Sequence, residues 1–396
     1  MELKQIANAL GIEVYPDALD ELYRTLTPNS APACDLELID RLETEHAVFG
    51  EYYRVVRETA VKINQDPVRS AWVRVAAQYA LACDPEQATE IPEPVYDGTA
   101  MNDLMLLYIL LPQIPGSIEG YTTRGFSEEE LADLLNAYKG SIRILENRTG
   151  RPGINKAYYR WLLHFSKVQI FKTMGLQFAL GKLPKLAVWL RNRTTGQLVP
   201  VMTGGTFHAS GVQQLGSLGY TDEADAFSPV FSEDAENYYG HGAFENVVDV
   251  NCRTFPKRDW QCVARPRDKC LIMHIPRGAD ISREVTLKAC RSALRILRER
   301  FPEENATMVF CASWLLNPTL KQIQGENSRI TQFMECFTKY PNRDPGGKAV
   351  LGFVFGKQYE NYADLPENTS LQRKLKQLYL SGKCLHSYSG AIYVEE

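Results

Sequence analysis

The chain has 396 residues, 44% of them hydrophobic and 23% charged, a composition that fits a packed globular protein and excludes disorder. A length above the roughly 250–300 residues at which single cores divide predicts two domains. Forty-four basic against 48 acidic residues give a net charge of -4. No overall field therefore draws the chain to nucleic acid or an anionic membrane, and any anionic ligand must be held locally.

From residue 2 to about 180 the apolar residues recur at helical spacing, as in LIDRLETEHAVFGEYYRVVRETAVKI and VRSAWVRVAAQYALAC, with no alternating pattern to compete. Breaks at Pro67, IPEPVYDG, LPQIPGS and GRPG predict five to seven helices, which make a helical domain over 1–183. Ser127 reads as an N-cap, with Glu128 to Glu130 in the first turn, where carboxylates suit the helix dipole. His46, His164 and the aromatic stretch YYRWLLHF read as packing residues, since single histidines and aromatic stripes at helical spacing fill cores more often than they bind ligands. The start MELKQIANALG has no apolar signal-peptide centre, and LMLLYILLP is far shorter than the ~20 residues of a membrane span, so a cytoplasmic location is expected. Nine scattered cysteines without a Cys-x-x-Cys pair predict reduced thiols.

The period changes after Pro184, which opens a domain over 184–396. AVWLRNRTTGQLVPVMTGG reads as a β-hairpin around Asn-Arg-Thr-Thr-Gly. Short strands are expected at 245–250, 260–265 and 269–275, with an acidic loop, TDEADAFSPVFSEDAENYYGHG, before them. REVTLKACRSALRILRERF reads as a helix with Val285, Ala289, Ala293, Leu297 and Phe301 on its packed side and Lys288, Arg291, Arg295 and Arg298 outward. ATMVFCASWLL reads as a buried strand. Strand, helix, strand in this order predicts a right-handed parallel crossover that brings two strand ends beside a helix N-terminus. The chain then continues through a helical stretch, LKQIQGENSRITQFMECF, the apolar run AVLGFVFG (349–356) and a last helix to a terminal strand near AIYVEE. The fold class expected is α+β.

The loop MHIPRGADIS joins the first crossover strand to the helix. A helix N-terminus offers unpaired N–H groups, so Gly278 in the loop, Ser282 as N-cap and Arg277 as a bidentate donor could together hold a phosphate. The plain alternative is that these residues simply connect a strand to a helix. His208 and His241 show no metal-ligand spacing, so no metal is assigned. Cys311, a lone thiol in an apolar strand, is not assigned as a nucleophile.

The element order is that of the GNAT acetyltransferase fold. The motifs GRPGI (150–154), GLQF (175–178), NRTTGQLV (192–199), MHIPRGADIS, CASWLLNPTL (311–320), NSRITQF (327–333) and LPENTSLQR with a following SG resemble a bacterial acyltransferase family. Its members have a helical N-terminal domain and a GNAT-like C-terminal domain. The resemblance implies a mixed sheet whose two parallel strands splay to admit the pantetheine arm of an acyl-coenzyme A, and transfer of the acyl group to the amine of a small molecule or peptide. The chain departs from the acetyltransferase pyrophosphate loop, with Pro276-Arg277-Gly278-Ala279-Asp280 in its place, and Asp280 puts negative charge where a phosphate would sit. The rival expectation is accordingly a degenerate GNAT-like module that binds a small molecule or peptide without turnover.

Acyl transfer needs a base for the amine and a donor for the carbonyl oxygen. On that implied chemistry, His274 at the end of the first crossover strand is the candidate base and Ser313 the candidate donor. Trp314 is a wall of the coenzyme slot, beside Arg277, Gly278 and Ser282. Asn327, Ser328 and Arg329, after a helix break at Gly325, would line the acceptor side or else cap the next helix.

Overall fold

The computed structural model describes residues 2–26, 32–212, 226–344 and 347–394. It divides into two compact units, Met1–Phe171 and Lys172–Glu396. Part of the acidic segment expected before residue 245 lies outside the described residues.

The first unit is helical: α1 (Leu3–Ala9), α2 (Ala18–Thr25), α3 (Leu36–His46), α4 (Tyr53–Gln65), α5 (Pro67–Ala82), α6 (Pro85–Ala88), α7 (Ala100–Asp103), α8 (Met105–Leu110), α9 (Ile114–Thr123), α10 (Glu128–Thr149) and α11 (Lys156–Ser166). The helices are more numerous than the spacing predicts because α6, α7 and α8 are single turns or little more, below the length at which periodicity is legible. Every residue of α8 is buried, so the apolar run at its place is core. No helix among the described residues is long and apolar enough to cross a membrane. The start of α10 is as expected. Ser127 Oγ accepts the Glu130 N–H at 3.2 Å, and Glu130 Oε2 accepts the Ser127 N–H at 2.9 Å, a reciprocal cap. Trp161 packs edge-on to His164 and Phe165, at 5.8 and 5.6 Å between ring centroids, as packing residues should.

Residues 170–182 form β1 (Ile170–Thr173) and β2 (Leu176–Lys182), where helical spacing had been expected to continue. The reason is the Met174-Gly175 turn, both residues at positive φ (52° and 78°), a conformation that turns a chain back on itself and that no helix contains.

The second unit continues with β3 (Ala187–Asn192), β4 (Leu198–Met202), β5 (Phe231–Glu233), β6 (Asn237–Phe244), β7 (Val247–Val248), β8 (Arg253–Pro256), β9 (Trp260–Ala264), β10 (Lys269–His274), α12 (Arg283–Arg300), β11 (Met308–Ser313), α13 (Thr319–Gln324), α14 (Arg329–Met334), β12 (Thr338–Pro341), α15 (Lys348–Phe355), α16 (Ser370–Leu380) and β13 (Tyr388–Tyr393). One sheet has the order β1-β2-β10-β11-β13-β12, and the other β5-β6-β4-β3-β9, with β7 and β8 paired to β6. The β3–β4 hairpin is as expected, with Asn192 Oδ1 accepting the N–H groups of Thr194 and Thr195 in its turn. The strand at 245–250 is reduced to β7. The longer strand is β6, whose first six residues, NYYGHG, the sequence had put in a loop because their glycines hide the alternation.

The core between the two sheets holds Trp189 and Met202 from one and Cys270, Met308, Phe310 and Tyr340 from the other. The second unit is thus a mixed-sheet domain following a helical region, and the α+β class holds.

Candidate active site

β10 and β11 are parallel, joined through α12, and their ladder pairs Leu271 with Val309 and Ile272 with Phe310. Past those rungs each strand keeps its outer neighbour: β10 stays on β2 as far as His274 opposite Gln177, and β11 stays on β13 as far as Ser313 opposite Tyr388. The two strands therefore part at their C-terminal ends. Their inner edges carry backbone donors and acceptors that the sheet no longer satisfies, and such groups require other partners.

The packed face of α12 runs much as the sequence predicts, with Ala289, Ala293, Leu297 and Phe301 buried, Val285 only half-buried near the N-terminal end, and Lys288, Arg291, Arg295 and Arg298 exposed. This fixes the helix over the sheet and its N-terminus beside the parted strands.

Side chains alternate along each strand. Cys270 and Ile272 face the second sheet together with Phe310, which puts His274 on that face. Cys311 and Ser313 take the opposite face, and Cys311 there interacts with Cys290 of α12. His274 and Ser313 thus flank the parted strands from opposite sides. Ser313 Oγ accepts the Leu315 N–H at 3.1 Å, which leaves its own hydroxyl hydrogen free to donate. Trp314 had been placed on the strand. It lies instead in a 3-10 turn, Trp314–Leu316, and packs against the cluster built by α13, α15 and α16.

In the loop after β10, Ala279 N–H donates to Pro276 O at 3.1 Å. Gly278 takes φ 82°, a value that suits glycine in this turn. Arg277 is exposed. Ser282 is the N-cap residue of α12, and its side chain makes no capping bond, so the first helical N–H groups are left for another acceptor. Asp280 Oδ1 accepts the Ser282 N–H at 2.9 Å. That bond, with the Ser282 hydroxyl and Arg329 adding to it, holds the Asp280 carboxyl below the usual range.

Asn327, Ser328 and Arg329 divide. Ser328 is an N-cap, its Oγ accepting the Thr331 N–H at 3.1 Å, and Asn327 O accepts Gln332 Nε2 at 3.4 Å. Arg329 interacts electrostatically with Asp280, so it belongs beside the α12 loop.

The structure adds a polar group at the same end of the sheet. Asp344 Oδ2 accepts the N–H and hydroxyl of Ser387 at 2.9 and 2.8 Å, and Asn317 Nδ2 donates to His386 O at 2.8 Å. The His386 ring stacks on Tyr388 at 5.4 Å. It is buried, and neither ring nitrogen has a hydrogen-bond partner. Burial pushes its pKa down against the opposite pull of Asp344. Sequence reading missed this group because its members come from three distant segments. The one local signal is LHSYSG, an alternating run leading into β13.

Among the described residues no cluster of His, Cys, Asp or Glu could hold a metal ion. His208 Nδ1 pairs with Ser210 Oγ at 2.5 Å, and His241 Nδ1 with Asp249 O at 3.0 Å. The Cys311 thiol is buried and pushed up to about 12, so it stays protonated and unreactive.

A family model described as "GNAT-like C-terminal domain" matches residues 176–392. The chain also aligns over its whole length with solved structures. An acyltransferase in complex with decanoyl-CoA and teicoplanin is 18% identical with TM-score 0.64, covering 100% of both chains. An acyltransferase in complex with CoA and 10C-teicoplanin is 16% identical with TM-score 0.64, and an acyltransferase mutant in complex with octanoyl-CoA is 16% identical with TM-score 0.65, each again covering 100% of both chains. At these identities the likeness establishes the fold. No curated protein matches.

Proposed function

The chain belongs to the family of the GNAT-like C-terminal domain, and on that premise we propose that it moves an acyl group from an acyl-coenzyme A to an amine-bearing small molecule or peptide. The observation that carries this reading is the parting of β10 and β11 beyond Ile272 and Phe310. An extended arm bearing amides can pair with the strand edges left open there. The complexes of the solved neighbours with acyl-CoA, and of two of them with teicoplanin or its 10C form, support donor and acceptor alike.

In this reading the diphosphate rests on the free N–H groups of α12, with Arg277 and Arg329 supplying charge beside Gly278 and Ser282. The acceptor amine attacks the thioester carbonyl carbon, the C–S bond breaks, and the thiolate of coenzyme A leaves. His274 takes the proton that the nitrogen gives up, on the face toward the second sheet. Ser313, on the other face, donates to the carbonyl oxygen as its charge grows. A cytoplasmic setting is part of the proposal, since the cysteines are all free and reduced thiols are the rule there.

Asp280 favours a second reading, a module that binds a small molecule or peptide without turnover. Its carboxylate sits at the helix terminus that a diphosphate would use. The two readings separate in a thiol-release assay with decanoyl- or acetyl-coenzyme A and a panel of amines. Amine-dependent release of free coenzyme A supports transfer, and absence of release with every pair supports the binding module.

A further inference from the structure

The His386 side chain lies at the end of the sheet where β10 and β11 part, and only 8% of the residue is exposed. Asn342 N–H donates to Ser387 O at 3.1 Å, which carries the line of β13 back past Tyr388 to His386. Asn317 Nδ2 donates to His386 O at 2.8 Å, and Asp344 Oδ2 accepts the N–H and hydroxyl of Ser387 at 2.9 and 2.8 Å. The backbone is thus tied down from three segments. Neither nitrogen of the ring has a hydrogen-bond partner among the described residues. A buried donor and acceptor left unmet cost stability, so this ring needs a partner that the folded chain does not supply.

The ladder sets the ring's place relative to Ser313. Tyr388 stands opposite Ser313, and the His386 ring stacks on the Tyr388 ring with 5.4 Å between centroids. Residues directly opposite in an antiparallel pair share a face, and diagonal neighbours lie about 7–8 Å apart. An imidazole and a hydroxyl reaching from such positions can meet at one shared oxygen. Tyr388 is committed elsewhere, because its hydroxyl donates to Val212 O at 2.9 Å. Burial pushes the His386 pKa down, against the opposite pull of Asp344. The ring is therefore neutral at pH 7 and carries one N–H and one bare nitrogen.

We propose that His386 donates a second hydrogen bond to the thioester carbonyl oxygen, beside the one from Ser313. The inference rests on the acyl-transfer reading and adds a residue to it. As the amine nitrogen bonds to the carbonyl carbon, the oxygen takes up negative charge. When the C–S bond breaks, the electron pair returns to restore the carbon–oxygen double bond. A neutral imidazole holds the oxygen through its N–H and keeps its proton throughout, so His274 remains the proton acceptor. Both His386 nitrogens are shut off from solvent. The entering thioester must therefore displace side chains that cover the ring, and the bond it forms there is not weakened by water.

The test compares His386→Leu and His386→Gln with the wild type in thiol release from decanoyl- or acetyl-coenzyme A with a panel of amines, alongside thermal melts. Leucine removes the donor and fills the space, whereas glutamine keeps an N–H. His386→Leu should lower kcat by about 10²–10³, the range for one lost oxyanion donor, with KM for the acyl donor unchanged. It should melt no lower than the wild type, since an apolar group replaces an unmet polar one. His386→Gln should regain about tenfold of the lost rate. Two results overturn the inference while acyl transfer stands. One is a His386→Leu variant with the wild-type kcat. The other is a loss of rate that comes with a lower melting temperature and is not relieved by glutamine. A wild type that releases no thiol with any pair overturns the transfer reading and this inference together.

Discussion

Asp280 holds the N–H of Ser282 at 2.9 Å, so a carboxylate guards the terminus of the helix that the proposed diphosphate must approach. Neutralising it removes like-charge repulsion. Asp280→Asn should tighten coenzyme A binding roughly two- to fivefold while leaving the fold intact. The carboxyl is held below its usual range, so it stays ionised at neutral pH and the gain should not vary between pH 6 and 8. Calorimetry over that range checks both statements, and weaker binding by the variant would assign Asp280 to ligand support instead.

His274 and Ser313 stand on opposite faces of the parted strands, and in the proposed reaction they divide the chemistry between them. His274→Ala should lower the rate of transfer by about 10²–10⁴, the range for a lost general base. Ser313→Ala should lower it by about 10²–10³, the range for one lost oxyanion donor. Both proteins should retain their far-ultraviolet circular dichroism. Full activity in both variants would remove these two residues from the mechanism.

Thiol reactivity reports the core directly. Cys252 is exposed, whereas Cys290 and Cys311 are buried, and burial pushes the Cys311 thiol up to about 12. Brief treatment with iodoacetamide at pH 8, followed by peptide mass spectrometry, should label Cys252 and spare the other two. Equal labelling of Cys311 would contradict the placement of β11 in the sheet interior.

The buried His386 and the half-buried His164 give stability a defined pH dependence. Burial lowers the pKa of both His164 and His386 in the folded state, so the unfolded chain takes up these protons first as pH falls through about 6.5. Their contribution is present above that value and declines below it. The melting temperature should therefore fall from pH 7.5 to pH 5.5, and His386→Gln should flatten the decline. An equal slope in that variant would show that His386 is hydrated in solution.

What the sequence disclosed was what short-range physics controls. The packed and exposed sides of α12, the Ser127 cap, the β3–β4 hairpin and the β10–α12–β11 crossover all follow from periodicity and turn chemistry within one segment. The Met174-Gly175 turn was legible in principle, but helical spacing before it masked the change of period. Trp314 continued an apolar run, and only the Ser313 cap shows that the strand stops there. The approach of Arg329 to Asp280 has no local signature, and the gathering of Asp344, Asn317 and His386 has only the alternating run LHSYSG, which marks one of its three segments. Each depends on strand order in the sheet, which one sequence does not specify.

Coenzyme A binding at the α12 terminus is the central claim. Its most direct test is titration of the protein with coenzyme A and acetyl-coenzyme A by calorimetry, repeated with Arg277→Ala. Saturable binding of both ligands, weakened about tenfold by the loss of Arg277, is the predicted result. An absence of binding at millimolar ligand, or binding indifferent to Arg277, would contradict it.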